Sequence, residues 1–153
     1  MRKACLPICL LLLSGCWQRY YDHEAMVTLK EGVPCFAPVS DDKARKEEAE
    51  IYSIMLARYP VIIQEGSFPF TGTWSEGWKP SILLSGDECI LYGGDSPLEK
   101  NTFYGVSFSA GVPGRMAPEI HGYGKVFCLS EGKDGETIIH QFSDKDIPES
   151  CPP

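Results

Sequence analysis

The side chains that could carry catalysis or bind a metal are few in this chain, and their spacing predicts no site. The three histidines are His23, His121 and His140, and no two of them have the separation of zinc ligands. Glu119 and His121 could exchange protons as an acid–base pair, but nothing in the sequence supplies a nucleophile or an oxyanion hole beside them. Ser107 lies in a strand-like run and lacks the G-x-S-x-G spacing of a nucleophile elbow. We therefore expect a protein that is not an enzyme and that holds no metal ion and no cofactor.

The first 15 residues have the pattern of an export signal. Arg2 and Lys3 give a positive start, and residues 6–13 form an apolar run interrupted only by Pro7. This run is too short to span a bilayer, which takes roughly 20 apolar residues. We therefore expect residues 1–15 to be removed as a signal peptide and to take no part in the fold.

Small residues and a cysteine close this signal. The sequence Leu13-Ser14-Gly15-Cys16 resembles the lipobox of bacterial lipoproteins, in which the cysteine is lipidated and becomes the acylated amino terminus. The resemblance implies a triply acylated Cys16, with fatty acids such as palmitate, and therefore a lasting anchor, since one chain alone binds a membrane only marginally. Trp17 stands where an aspartate would resemble an inner-membrane retention signal, so we expect the outer membrane, with the domain facing the periplasm. An ordinary secretory signal with an incidental Cys16 is the alternative.

Removal of the signal makes the chain more acidic. Residues 16–153 hold 12 Lys and Arg against 21 Asp and Glu, a formal net charge of −9. This balance argues against nucleic acid and against anionic lipid headgroups as ligands, because both are negatively charged. It is compatible with a basic protein partner, although an acidic surface that serves only solubility is the alternative.

Four cysteines remain beyond Cys16, namely Cys35, Cys89, Cys128 and Cys151. An even number in an exported chain predicts two disulfides, and no C-x-x-C pair indicates a redox or zinc motif. Three connectivities are open from the sequence. We favour Cys35 with Cys128, because both lie in apolar strand-like runs, which leaves Cys89 with Cys151 to tie down the C-terminal tail.

The rest of the chain predicts one all-β domain over residues 25–153, after a tether at 16–24. Short strand-like runs alternate with glycine and proline turns at about 8–12 residue spacing, which is typical of an antiparallel β-sandwich, immunoglobulin-like or fibronectin type III-like. Residues 41–50 are a charged loop or a short surface helix. The predicted strands are residues 25–30, 33–39, 51–61, 81–85, 88–92, 102–110, 124–130 and 137–142; a helical stripe is the alternative for 51–61.

Surface recognition is the function that this composition favours. Residues 64–80 form a predicted loop rich in glycine, proline and aromatic side chains, and a second glycine-rich loop follows residue 110. Aromatic and arginine side chains on loops dominate binding hot spots. The candidate partner contacts are Phe68, Phe70, Trp74 and Trp78 in the first loop, and Arg115, Met116, His121 and Tyr123 around the second. The alternatives are that the first loop caps one end of the core and that the glycines of the second only shape a turn.

Five segments carry a resemblance to a known family: the lipobox, Tyr20–His23, Val27–Phe36, Gly86–Ile90 and Val126–Leu129. Together they resemble small enterobacterial periplasmic lipoproteins that are described as immunity proteins of the type VI secretion system. The resemblance spans most of the mature chain and departs from the family at residues 41–60. It implies a protein without catalytic residues that neutralises a toxin delivered into the periplasm. The alternatives are a general envelope lipoprotein that stabilises a membrane assembly, and a cell-wall glycan binder that uses tryptophan rings as stacking platforms.

Overall fold

The computed structural model describes residues 23–39, 48–59, 73–113, 120–143 and 145–153 of the chain. These residues form eight strands: β1 His23–Lys30, β2 Val33–Pro38, β3 Ala49–Arg58, β4 Trp74–Leu84, β5 Ile90–Leu91, β6 Phe103–Gly111, β7 Ile120–Glu131 and β8 Thr137–Phe142. The described ranges contain no helix, and so none that is long and apolar enough to cross a membrane. The prediction of an all-β domain is confirmed.

The strands join into one curled, mixed sheet. Its order is β4-β3-β6-β7-β1-β2-β5, and β8 pairs with the second half of β7. Neighbours run antiparallel except β1 and β7, which are parallel and pair His23 with Tyr123 and Glu24 with Gly124. The finer prediction of an immunoglobulin-like or fibronectin type III-like sandwich is not confirmed, because hydrogen bonding continues along one sheet and one strand pair is parallel.

The curl brings together strands that stand far apart in the sheet order. Phe36 of β2 stacks on Trp74 of β4 with ring centroids 6.2 Å apart, and it also packs on Phe127 of β7 at 5.9 Å. The other large buried side chains of this core come mainly from β3, β6 and β7, and include Ile51, Ile54, Leu56, Tyr104, Val106, Phe108 and Tyr123. The sheet therefore encloses its own hydrophobic core as a half-barrel.

A bulge in β3 explains why residues 51–61 also fit a helix. The register of β3 shifts against both neighbours between Ile51 and Ser53, and against β6 Tyr52 is the extra residue. Ile51 and Ile54 are both buried, although they are three residues apart. That separation imitates the apolar stripe of a helix. The strand prediction is confirmed, with bounds at Ala49–Arg58.

The prediction of a loop at residues 64–80 is wrong for residues 74–80, which belong to strand β4. The strand begins at Trp74 and continues through Gly77 and Pro80 to Leu84, so Trp74 and Trp78 belong to a strand. It pairs only with β3 among the described strands. An edge strand is where a proline is tolerated, because the missing N–H donor need not face a partner. Residues 64–72 of the predicted loop lie outside the described residues.

Three other strands begin at least two residues away from their predicted start. Strand β7 begins at Ile120 instead of residue 124, so His121 and Tyr123 lie in a strand and not around a loop. Strand β1 begins at His23, which shortens the predicted tether by two residues. Strand β5 is reduced to Ile90–Leu91. The predicted turn between β1 and β2 is confirmed, with Glu31 and Gly32 at φ values of 54° and 79°, which suits a two-residue hairpin.

Two disulfides tie the sheet to flanking segments, as four cysteines predict. One joins Cys35 to Cys89 and the other joins Cys128 to Cys151. The first holds the segment before β5 against β2, and the second holds the C-terminal tail against β7. The favoured pairing of Cys35 with Cys128 and of Cys89 with Cys151 is wrong.

The alternation of side chains explains why the favoured pairing fails. Phe36 and Phe127 point into the core. Successive residues of a strand point to opposite faces, so the neighbouring Cys35 and Cys128 point away from the core on different parts of the curled sheet. Each cysteine therefore meets a segment that covers the outside of its own strand, and the two cannot reach each other.

Candidate functional site

An open cleft of about 320 Å³ lies at one end of the half-barrel. Strand β3 ends there at Arg58, β4 begins there at Trp74, and the segment after β5 crosses it. We call this the cleft end of the sheet. The side chains that define the cleft are those of Arg58, Thr73, Tyr92, Asp95, Glu99 and Tyr104.

Hydrogen bonds from two tyrosines fix the segment that crosses the cleft. The hydroxyl of Tyr92 donates to the carbonyl oxygen of Ser96 at 3.0 Å, and the hydroxyl oxygen of Tyr104 accepts from the backbone N–H of Glu99 at 2.9 Å. Tyr104 is 1 % exposed and belongs to the core. The segment that carries the acidic residues Asp95 and Glu99 is therefore held at two points, one of them a buried core tyrosine.

The rim of the cleft is charged and accessible. The guanidinium of Arg58 forms an ion pair with Glu99, and their side chains are 60 % and 59 % exposed. An exposed pair of this kind contributes little to stability, and both side chains are accessible to a partner. Asp95 also lines the cleft and is exposed. Among the described residues of the rim, two carboxylates against one guanidinium leave an excess of negative charge, which complements a basic side chain.

Tyr92 is the more accessible of two cleft tyrosines, Tyr92 and Tyr104, that the sequence prediction did not name as contacts. Its ring meets Trp74 edge-on, with centroids 5.4 Å apart. Burial raises the pKa of Tyr92 above its ordinary value of 10.0, and the neighbouring Tyr104 and Asp95 act in the same direction. Tyr92 is therefore a neutral phenol at physiological pH and donates a hydrogen bond. The glycine pair Gly93-Gly94 directly after it was the one sequence signal of a turn at this place.

The two predicted tryptophan contacts lie in and against the core. Trp74 is 8 % exposed, and its indole N–H donates to Glu76 Oε1 at 3.0 Å. Trp78 is partly buried and packs against the same core. The burial of Trp74 therefore fits the alternative in which this residue caps the core, and not a contact with a partner. Tyr92, and not Trp74, lines the cleft.

The opposite end of the sheet brings two histidines together. His23 begins β1 and His121 lies near the start of β7, and His23 Nε2 and His121 Nδ1 are 3.1 Å apart. We call this the histidine end. Tyr123 is fully buried below them, so its ring is out of a partner's reach in this conformation, whereas His121 is partly exposed. The sequence analysis did not predict this histidine pair, because a spacing argument considers only residues that are close in the chain and these two are 98 residues apart.

Several predicted residues lie outside the described part of the chain. They are the contacts Phe68, Phe70, Arg115 and Met116, the lipidation site Cys16 and the acid–base candidate Glu119. Their roles stay predictions. Ser107 is a partly buried strand residue of β6, as the sequence pattern indicated.

Comparison with models of protein families, with curated proteins and with solved structures found no match to this chain. Neither a fold relative nor a sequence relative therefore indicates a function. Function has to be argued from the chemistry of the sites themselves.

Proposed function

We propose that this chain is a lipid-anchored periplasmic immunity protein that neutralises a secreted antibacterial toxin by binding it at the cleft end. The immunity role comes from the family resemblance of the sequence. The placement of the contact surface is supported by one structural observation, which is that the cleft opens at the end of the sheet opposite the start of β1. Two disulfides that engage all four cysteines beyond the lipobox are in keeping with an oxidising compartment.

The tether makes this arrangement directional. Seven residue steps lead from Cys16 to His23, where β1 enters the sheet at the histidine end. An extended chain advances at most about 3.3–3.6 Å per residue, so the tether reaches at most about 25 Å. A lipidated Cys16 would therefore hold the histidine end near the bilayer and direct the cleft end away from it, toward arriving molecules.

Charge favours a basic partner at this surface. The mature chain carries a formal net charge of −9, and Asp95 and Glu99 outnumber Arg58 at the rim of the cleft. Complementary charge accelerates encounter between two proteins and makes the association rate sensitive to salt. An inhibitor that must capture a toxin before it acts benefits most from a fast association rate.

The proposal expects a toxin gene adjacent to this one, and it is tested by the association kinetics with the product of that gene. Asp95→Lys reverses one charge at the rim without removing the ion pair of Arg58 with Glu99. Glu149→Lys makes the same change of net charge on the exposed C-terminal tail and is the matched control. We expect Asp95→Lys to slow association at low salt more than Glu149→Lys does.

Equal association rates for the two variants would remove the cleft end from the proposal. Peptidoglycan fragments serve as the comparison ligand in the same assay. Saturable binding of these fragments in place of the toxin would favour the glycan-binding alternative.

A further inference from the structure

Two imidazole nitrogens face each other at the histidine end. His23 Nε2 and His121 Nδ1 are 3.1 Å apart, although 98 residues separate them in the sequence. In this hydrogen bond one nitrogen carries the proton and the other accepts it. Two nitrogens bound to the same zinc ion at about 2.0–2.1 Å stand about 3.3 Å apart at a tetrahedral angle. The pair therefore already has nearly the spacing of two ligands on one metal ion.

We propose that His23 and His121 form a binding site for a divalent transition metal such as Zn²⁺ or Cu²⁺. Imidazole suits these ions, whereas Mg²⁺ and Ca²⁺ prefer oxygen ligands. The metal displaces the shared proton and lies to one side of the line between the two nitrogens, because 3.1 Å is too short for a metal ion to lie between them. The imidazole that donated this proton carries it on its other ring nitrogen instead, so that both facing nitrogens present lone pairs.

Aromatic rings hold the pair in position. Tyr123 stacks on His23 with centroids 5.3 Å apart, and Phe108 stacks on Tyr123 at the same distance with the rings only 10° from parallel. His121 meets His23 edge-on at 4.5 Å. Because Tyr123 and Phe108 are buried, this stack limits the movement of the His23 ring before a metal arrives. A ligand whose movement is already limited loses less conformational entropy when it binds a metal.

Lys125 is the nearby positive charge on the described part of β7, and its charge is compensated. Lys125 follows Tyr123 on the same face of β7, and it forms an ion pair with Glu24, the residue after His23. The positive charge of Lys125 is therefore matched by a carboxylate. The metal would fasten the start of β1 to β7, which otherwise share a parallel ladder of only two residue pairs.

Among the described residues, the proposed site has two protein ligands. The described ranges hold no group of three or more His, Cys, Asp or Glu side chains arranged around a metal. Water completes the coordination, so we expect weaker binding than at a closed structural zinc site, with positions left for exchange. This inference does not depend on the proposed immunity role.

Metal binding by the full chain tests the proposal directly. The protein is expressed with its own leader, purified in detergent with a tag that contains no histidine, and titrated with Zn²⁺ by calorimetry. We expect one equivalent to bind and the Tm to rise, and we expect the paramagnetic resonance spectrum of the Cu²⁺ form to show two coupled nitrogens. Mg²⁺ should produce none of these effects.

Two glutamine variants test whether metal binding depends on the pair of His23 and His121 or on a histidine elsewhere in the chain. His121→Gln keeps a side chain that can hydrogen-bond to His23 but removes a metal ligand, and it should abolish the Tm rise and the two-nitrogen signal. His140→Gln is the matched control. Its imidazole contacts Ser130 Oγ at 2.8 Å and belongs to the opposite face of the sheet, so this variant should bind as the wild type does.

Three results would overturn the proposal: no Zn²⁺ binding by the wild type, equal binding by wild type and His121→Gln, or loss of binding in His140→Gln. Circular dichroism of the metal-free variants verifies the fold. If His121→Gln does not fold, His23→Gln is measured in its place with the same expected loss.

Discussion

Each disulfide closes a loop whose length sets its contribution to stability. The Cys35–Cys89 bond joins residues 54 apart and the Cys128–Cys151 bond joins residues 23 apart. The loop-entropy relation converts these separations into about 4.2 and about 3.4 kcal/mol of stabilisation at about 25 °C. Domains of this size are stable by only about 5–15 kcal/mol, so removal of either bond should take a large share of the total.

Paired alanine substitutions measure these contributions. We expect Cys35→Ala with Cys89→Ala, and Cys128→Ala with Cys151→Ala, each to lower the free energy of unfolding by about 3–4 kcal/mol in urea titrations. The single variant Cys35→Ala distinguishes the connectivity, because it should release the thiol of Cys89 alone. Non-reducing peptide mapping of the wild type should show the same two linked pairs. A free Cys128 in the Cys35→Ala protein, or a loss below about 1 kcal/mol in both double variants, would refute the reasoning.

Three further predictions test the core, the anchor and the cleft. Trp74→Ala should cost about 3–5 kcal/mol by chemical denaturation because the ring is buried, while Leu83→Ala, exposed on the same strand, should stay within about 0.5 kcal/mol; equal losses would contradict the position of Trp74. Cys16→Ser should leave the domain folded but move it from the membrane fraction to the soluble periplasmic fraction, and retention in the membrane would argue against lipidation. Burial raises the pKa of Tyr92, so its contribution to stability is present below pH 10.0 and is lost as the pH climbs through the raised value. Tyr92→Phe should therefore flatten the alkaline fall in stability, and an unchanged slope would count against this assignment.

Strands with regular alternation could be predicted from the sequence alone. In β6, Tyr104, Val106 and Phe108 are buried and alternate with smaller residues, so the predicted run at 102–110 matches the strand within one residue at each end. Irregular strands could not be predicted in this way, because their residue types are typical of loops. Gly77 and Pro80 have the local signature of a loop, and only the edge position of β4 makes them acceptable in a strand.

The functional regions depend on contacts between distant parts of the chain. His23 and His121 meet because β1 inserts beside β7 in parallel, an event that no spacing rule detects. Cys35 meets Cys89 because β5 pairs with β2; the sequence predicted a strand at residues 88–92, but its periodicity does not indicate which strand it pairs with. The sequence shows what each of these side chains can do chemically. Which side chain it contacts in space depends on the topology of the sheet.

A co-culture experiment tests the central claim that the anchored domain protects its own cell by capturing a delivered toxin. A strain that lacks this gene and the adjacent toxin gene is grown alone and in contact with its parent. We predict normal growth and an intact envelope in isolation, death beside the parent, rescue by the wild-type gene, and weaker rescue by Asp95→Lys. Full survival beside the parent, or a permeability defect in the strain grown alone, would contradict the account.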